Sequence, residues 1–116
     1  MTSASLAEQI RAAMNAARKD RDKARTLLTS TLLSEIANRQ IELGHDLSDP
    51  EVVEVVRCAL KKRREAVEQA RAVGRTEHAD REAFEAAELE KWLPPAVRTR
   101  IARWIIERVP VWTVGK

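Results

Sequence analysis

The chain has 116 residues, a usual size for one domain; 44% are apolar but only 3% aromatic, so a core must be built from Ala, Leu, Val and Ile and a β-rich fold is disfavoured. Net charge is +3 and Cys58 is the single cysteine, which excludes an internal disulfide and fits a reducing, cytoplasmic setting. No basic start followed by an apolar run opens the chain, and no window approaches ~18 consecutive apolar residues, so neither a signal peptide nor a membrane partner is expected.

Leu6, Ile10, Met14 and Ala17 recur every three or four residues and predict a first helix over about 4–17, capped by Ser3 or Ser5. The charged stretch 18–23 predicts a corner. A second helix is expected over about 20–43, with Leu28, Leu32 and Ile36 as its inner stripe, widened by Ala24, Leu27 and Thr31. Gly44 stands where a left-handed residue ends a helix at little cost.

Ser48-Asp49-Pro50-Glu51 has capping-box spacing and starts a third helix of about 25 residues, ended by Gly74. Val52, Val56, Ala59 or Leu60, Arg63, Val67, Ala70 and Val73 share one of its faces. A fourth helix, capped by Thr76, is expected to reach about Trp92. Its buried face would be Ala79, Ala83, Ala86 and Ala87, with Phe84 and Leu89 nearby, and would bury little area. Leu93-Pro94-Pro95 stops it, because a residue before Pro avoids the α region. A last helix over about 96–109 carries Val97, Ile101, Ile105 and Val109 on one stripe, with Trp104 beside it. The fold class read from this pattern is all-α: a four-helix, bundle-like domain over 1–93, then a shortened helical segment over 94–116.

Little in the sequence carries reaction chemistry. His45 and His78 have no second ligand at metal spacing and read as solvated, so no metal site is expected. Cys58, in mid-helix, reads as a small filler rather than a nucleophile. No Gly-rich phosphate loop or dinucleotide fingerprint exists, so no cofactor is expected either. Glu82, Glu85 and Glu88 read as a solvated acidic face.

Charge alternates along the chain. Residues 57–75 carry seven basic and two acidic side chains, whereas residues 76–91 carry two basic and six acidic. Neighbouring helices that attract each other in an antiparallel bundle would explain this; so would a basic binding face. Arg57, Lys61, Arg64, Arg71 and Arg75 recur along one stripe of the third helix, interrupted by Glu68 and flanked by Lys62 and Arg63. Such a stripe can track phosphates, because Arg and Lys release counterions on binding. The competing reading is a salt-bridged face with Glu65 and Glu68 as partners.

Ile36-Ala37-Asn38-Arg39-Gln40-Ile41-Glu42-Leu43, then Leu47-Ser48-Asp49-Pro50-Glu51-Val52, resembles the join between the second and third helices of the GatB/YqeY family. Lys61-Lys62-Arg63-Arg64-Glu65-Ala66 is similar to that family's basic stretch. Ala72-Val73-Gly74-Arg75 is similar to its Ala-Gly-Arg turn, and Trp92-Leu93-Pro94 to its Tyr-Leu-Pro close. The resemblance covers roughly residues 5–95. Ser30 stands where the family usually has Arg, and Ala66 where it has Ser.

The resemblance implies an all-helical module related to the tail of the B subunit of a glutamine-dependent tRNA amidotransferase. There the module contacts tRNA and carries no amidation chemistry. By this resemblance the partner is tRNA or a tRNA-amidation complex. The resemblance implies Lys61, Lys62, Arg63, Arg64 and Arg75 as tRNA-facing positions; with Arg57 and Arg71 from the stripe, the expected nucleic-acid-binding residues are Arg57, Lys61, Lys62, Arg63, Arg64, Arg71 and Arg75. The resemblance would also imply carbon–nitrogen ligase activity with glutamine as amido-N-donor; no nucleophile, metal site or phosphate loop in the sequence supports an independent ligase. It implies about three helices after the Leu-Pro, where this sequence has room for one. That helix is expected to fold onto the first four or to bury Trp104 and Ile105 in a homodimer, and a protein-interaction module is the alternative function.

Overall fold

The computed structural model describes residues 4–96. They form four helices: α1 (Leu6–Lys19), α2 (Lys23–Leu43), α3 (Asp49–Ala72) and α4 (Thr76–Glu90). No strand occurs among the described residues. The expected last helix, with Trp104 and Ile105, lies outside them.

Local chemistry sets the helix ends. The Ser5 hydroxyl accepts from the Glu8 amide and starts α1. The corner after α1 is made by Arg21 at φ 57, with the Arg21 amide donating to the Arg18 carbonyl and the Asp22 amide to the Ala17 carbonyl. This is the two-bond helix stop that glycine usually serves, here made by a residue with a Cβ. Asp22 then caps α2 by accepting from the Arg25 amide. Gly44 ends α2 at φ 76.

The capping box of α3 is complete. Ser48 accepts from the Glu51 amide at 3.4 Å, and the Glu51 carboxylate accepts from the Ser48 amide at 2.9 Å. The backbone hydrogen bond from Ser48, then the one from its hydroxyl, holds the Glu51 carboxyl below its ordinary range. Asp49, in the first turn of α3, also accepts from the Leu6 amide at 2.9 Å. One carboxylate therefore serves two helix N-termini and ties α1 to α3.

Gly74, at φ 78, makes the turn into α4: its amide donates to Arg71 and the next amide, Arg75, to Ala70. That tight turn starts α4 one residue earlier than expected. Arg75 is the N-cap and makes no side-chain capping bond, while Thr76 is already helical.

The main core joins all four helices. Ile10, Leu32, Leu60, Leu89 and Leu93 are its largest fully buried side chains, with Leu28, Ile36, Val52 and Val56 around them. Each large aliphatic contributes about 1.5–3 kcal/mol on full burial. A second, smaller cluster holds only Val67, Ala70 and Ala79, with Ala83 packed against it. The outer half of the α3–α4 hairpin thus rests on small side chains that bury little.

Several expected core positions lie outside the core. Leu27 is 69% exposed and Ala24 is exposed, because nothing described packs on that side of α2. Val73 is 70% exposed, since it falls after the last turn of α3, where the hairpin has no neighbour. Phe84 and Ala87 are exposed on α4.

Candidate nucleic-acid interface

The basic and acidic stretches of the sequence face each other across the α3–α4 hairpin. Arg63 Nη1 lies 3.3 Å from Glu82 Oε2 and 3.1 Å from Glu85 Oε2. Only 28% of the Arg63 side chain and 13% of the Glu82 side chain meet solvent. Arg64 Nη2 lies 3.2 Å from Glu90 Oε2, and its Nε is buried without a hydrogen-bond partner. Adjacent residues of a helix diverge by about 100°, so the two arginines reach α4 carboxylates more than a turn apart. Both lie turned toward α4 rather than standing on an open ridge.

A second set of charges pins α2 to α4. Arg25 donates from Nε and Nη2 to the two oxygens of Glu88, at 3.3 and 3.2 Å, and from Nη1 to Asp22 at 3.3 Å. Lys91 Nζ donates to Glu88 at 2.9 Å, and the Arg25 guanidinium sits 5.7 Å from the Phe84 ring centre. Burial pushes the Glu88 carboxyl up, but the hydrogen bonds and charges of Lys91 and Arg25 outweigh it and hold the pKa below the ordinary value. The hydrogen bond and charge of Glu88 raise Arg25 in turn.

The sequence reading therefore needs correction at Glu82, Glu85 and Glu88. They are interhelical ion-pair partners, not a solvated face. Spacing carried a signal for Glu82: Ala79, Glu82, Ala86 and Leu89 follow one another at three- and four-residue steps, which puts Glu82 in the buried stripe. Arg63 sits equally within the step from Ala59 to Val67 on α3. Glu65 and Glu68, the expected partners, form no ion pair among the described residues.

The other cations are differently placed. Arg57 pairs with Glu54 on its own helix at 2.8 Å, with 46% and 62% of the two side chains exposed. A surface pair of this kind is worth little and yields readily to a stronger anion. Lys61 is exposed. Arg71 and Arg75 are exposed at the hairpin tip, and Lys62 is exposed on the far side of α3 from Arg71. Among the described residues no carboxylate pairs with Lys62, Arg71 or Arg75.

Two further expectations change. Cys58 is exposed rather than a core filler. The histidines are not simply solvated: His45 Nε2 lies 3.8 Å from Glu51 and His78 Nε2 lies 3.9 Å from Glu82. Among the described residues no three potential ligands come together for a metal, and no helix is long and apolar enough to cross a membrane.

The family model of Yqey-like proteins matches residues 7–112. The chain belongs to the YqeY-like family. No curated protein matches it. The YqeY-like match runs beyond Pro95, so it takes in the segment after the Leu-Pro turn as well as the four helices, further than the short motifs reach.

Proposed function

We propose that this YqeY-like protein is a non-catalytic helical module that binds tRNA, alone or within a tRNA-amidation or translation complex. It meets the RNA backbone through Arg57, Lys61, Arg71 and Arg75. The observation that carries the reading is the division of labour among the α3 cations. Arg63 and Arg64 are held by α4 carboxylates, whereas Arg71 and Arg75 are exposed with no described carboxylate in range. Arg57, Lys61 and Arg71 fall within about 80° of one another around α3, so they can follow one line of phosphates. Kinship with the amidotransferase tail, implied by the motifs around Lys61 and Gly74, makes tRNA the polyanion of choice.

A tRNA gel shift at low salt tests the proposal. Wild-type protein retards tRNA, and Arg71→Glu with Arg75→Glu abolishes the shift while far-UV circular dichroism stays unchanged. Equal retardation by the two proteins would remove the hairpin tip from the interface.

A further inference from the structure

The corner between α1 and α2 gathers cations that the interface on α3 does not use. Arg11, Arg18, Lys19, Arg21 and Lys23 are all exposed, and among the described residues no carboxylate pairs with any of them. After Glu8, α1 carries no acidic residue. Arg11 and Arg18 stand seven residues apart and within about 20° of each other around the helix, so both point to one side. Two carboxylates share the corner. Asp22 is engaged, capping α2 and pairing with Arg25 at 3.3 Å, while Asp20 is exposed. The cations far outnumber what Asp20 can offset, and the corner is strongly basic.

Local structure accounts for only part of this charge. Arg18 and Lys19 lie in the last turn of α1, where the helix dipole favours a cation. Lys23 opens α2, where the dipole opposes one, and the first turn of α2 holds no acid to offset it. Arg21 sits at φ 57, a conformation that glycine or asparagine adopts at less cost. Its guanidinium is exposed and bonds to nothing in the described fold. Backbone strain beneath a side chain the fold does not need points to a use for that side chain.

We propose that this corner is a second surface for the RNA backbone, separate from the α3 cations. It rests on the RNA-binding function proposed for the protein and adds a contact to it. Arg25, at the start of α2, donates to Glu88 near the end of α4, whereas Arg75 caps the opposite end of α4. The stretch of α4 from Arg75 to Glu88 rises about 20 Å, which sets the corner apart from the hairpin tip. A tRNA is large enough to meet both surfaces and a dinucleotide is not. Two contacts on one molecule reinforce each other.

Salt-dependent tRNA binding by the full chain tests the second surface. Lys23→Gln and Arg21→Gly each make the slope of log affinity against log salt shallower by about 1, and Arg21→Lys keeps the wild-type slope. Arg21→Gly also raises the urea midpoint, so its weaker binding is not a loss of folding. Corner and tip are distant, so the effects of Lys23→Gln and Arg71→Ala add. If Arg71→Ala weakens binding while Arg21→Gly and Lys23→Gln leave it untouched, the corner contact is overturned and the RNA-binding function stands. A wild-type chain that fails to bind tRNA at low salt overturns both. Arg21→Lys losing as much affinity as Arg21→Gly also overturns the corner contact, since charge is then not what binds.

Discussion

Arg63 and Glu82, on helices joined by a single tight turn, face each other at 3.3 Å in the α3–α4 seam, and Glu85 completes the contact at 3.1 Å from the same nitrogen. The pair lies just where the main core ends and the small Val67/Ala70/Ala79 cluster begins. It therefore holds together a stretch of hairpin that apolar burial alone supports weakly.

Arg63→Ala is expected to destabilise the protein by about 1–3 kcal/mol, because it leaves Glu82 mostly buried without its cation. Arg71→Ala, at an exposed position, is expected to change stability by less than about 0.5 kcal/mol. Urea denaturation of the two variants checks the difference. Equal stability would mean the seam does not depend on the ion pair.

The same packing gradient predicts where the fold opens first. Amides of residues 63–83 should exchange with solvent well before those around Leu32, Leu60 and Leu89, since the outer hairpin buries only small side chains. Native-state hydrogen exchange reads this by residue. Uniform protection along α3 would contradict it.

Acid should unfold the protein partly through Glu88 and Glu51, whose pKa values lie below the ordinary 4.5. A depressed carboxylate stabilises the fold above its unfolded pKa, and that contribution fades as pH falls through the folded value. Stability should therefore drop from about pH 4.5 downward. Glu88→Gln should lower the melting temperature by a few degrees at neutral pH and flatten the acid limb. Thermal melts from neutral to acid pH test this; an unchanged acid limb would exclude Glu88 as a contributor.

Arg21 holds a left-handed conformation that a Cβ disfavours. Arg21→Gly relieves that cost but adds backbone freedom to the unfolded chain, leaving a net gain of about 0.5–1 kcal/mol. A raised denaturation midpoint with unchanged slope is the expected result.

Features encoded within a few residues were legible in the sequence. The Ser48/Glu51 box, the stops at Gly44 and Gly74, and the Leu28/Leu32/Ile36 stripe all rest on local chemistry or helical period, and the structure has each of them. Partnership was not legible to the same degree. Period says which way Arg63 and Glu82 point, but not that one lies opposite the other; that follows from the register of the hairpin. Leu27 misled because the width of a buried stripe depends on neighbours that periodicity cannot supply. Cys58 is exposed because helical phase, not residue type, decides burial: its position on α3 lies far around from Val56 and Leu60. For the candidate site, the run of cations was readable, whereas its division into inward Arg63 and Arg64 and exposed Arg71 and Arg75 was not.

On the proposed function, exposed cations of α3 and the hairpin tip, rather than those locked against α4, meet RNA. The slope of log affinity for tRNA against log salt concentration tests it most directly. Wild-type protein should show a steep negative slope, and Arg71→Ala and Arg75→Ala should each make it shallower by about 1. Affinity that does not vary with salt, or a slope the two substitutions leave untouched, would exclude these cations from contact with RNA.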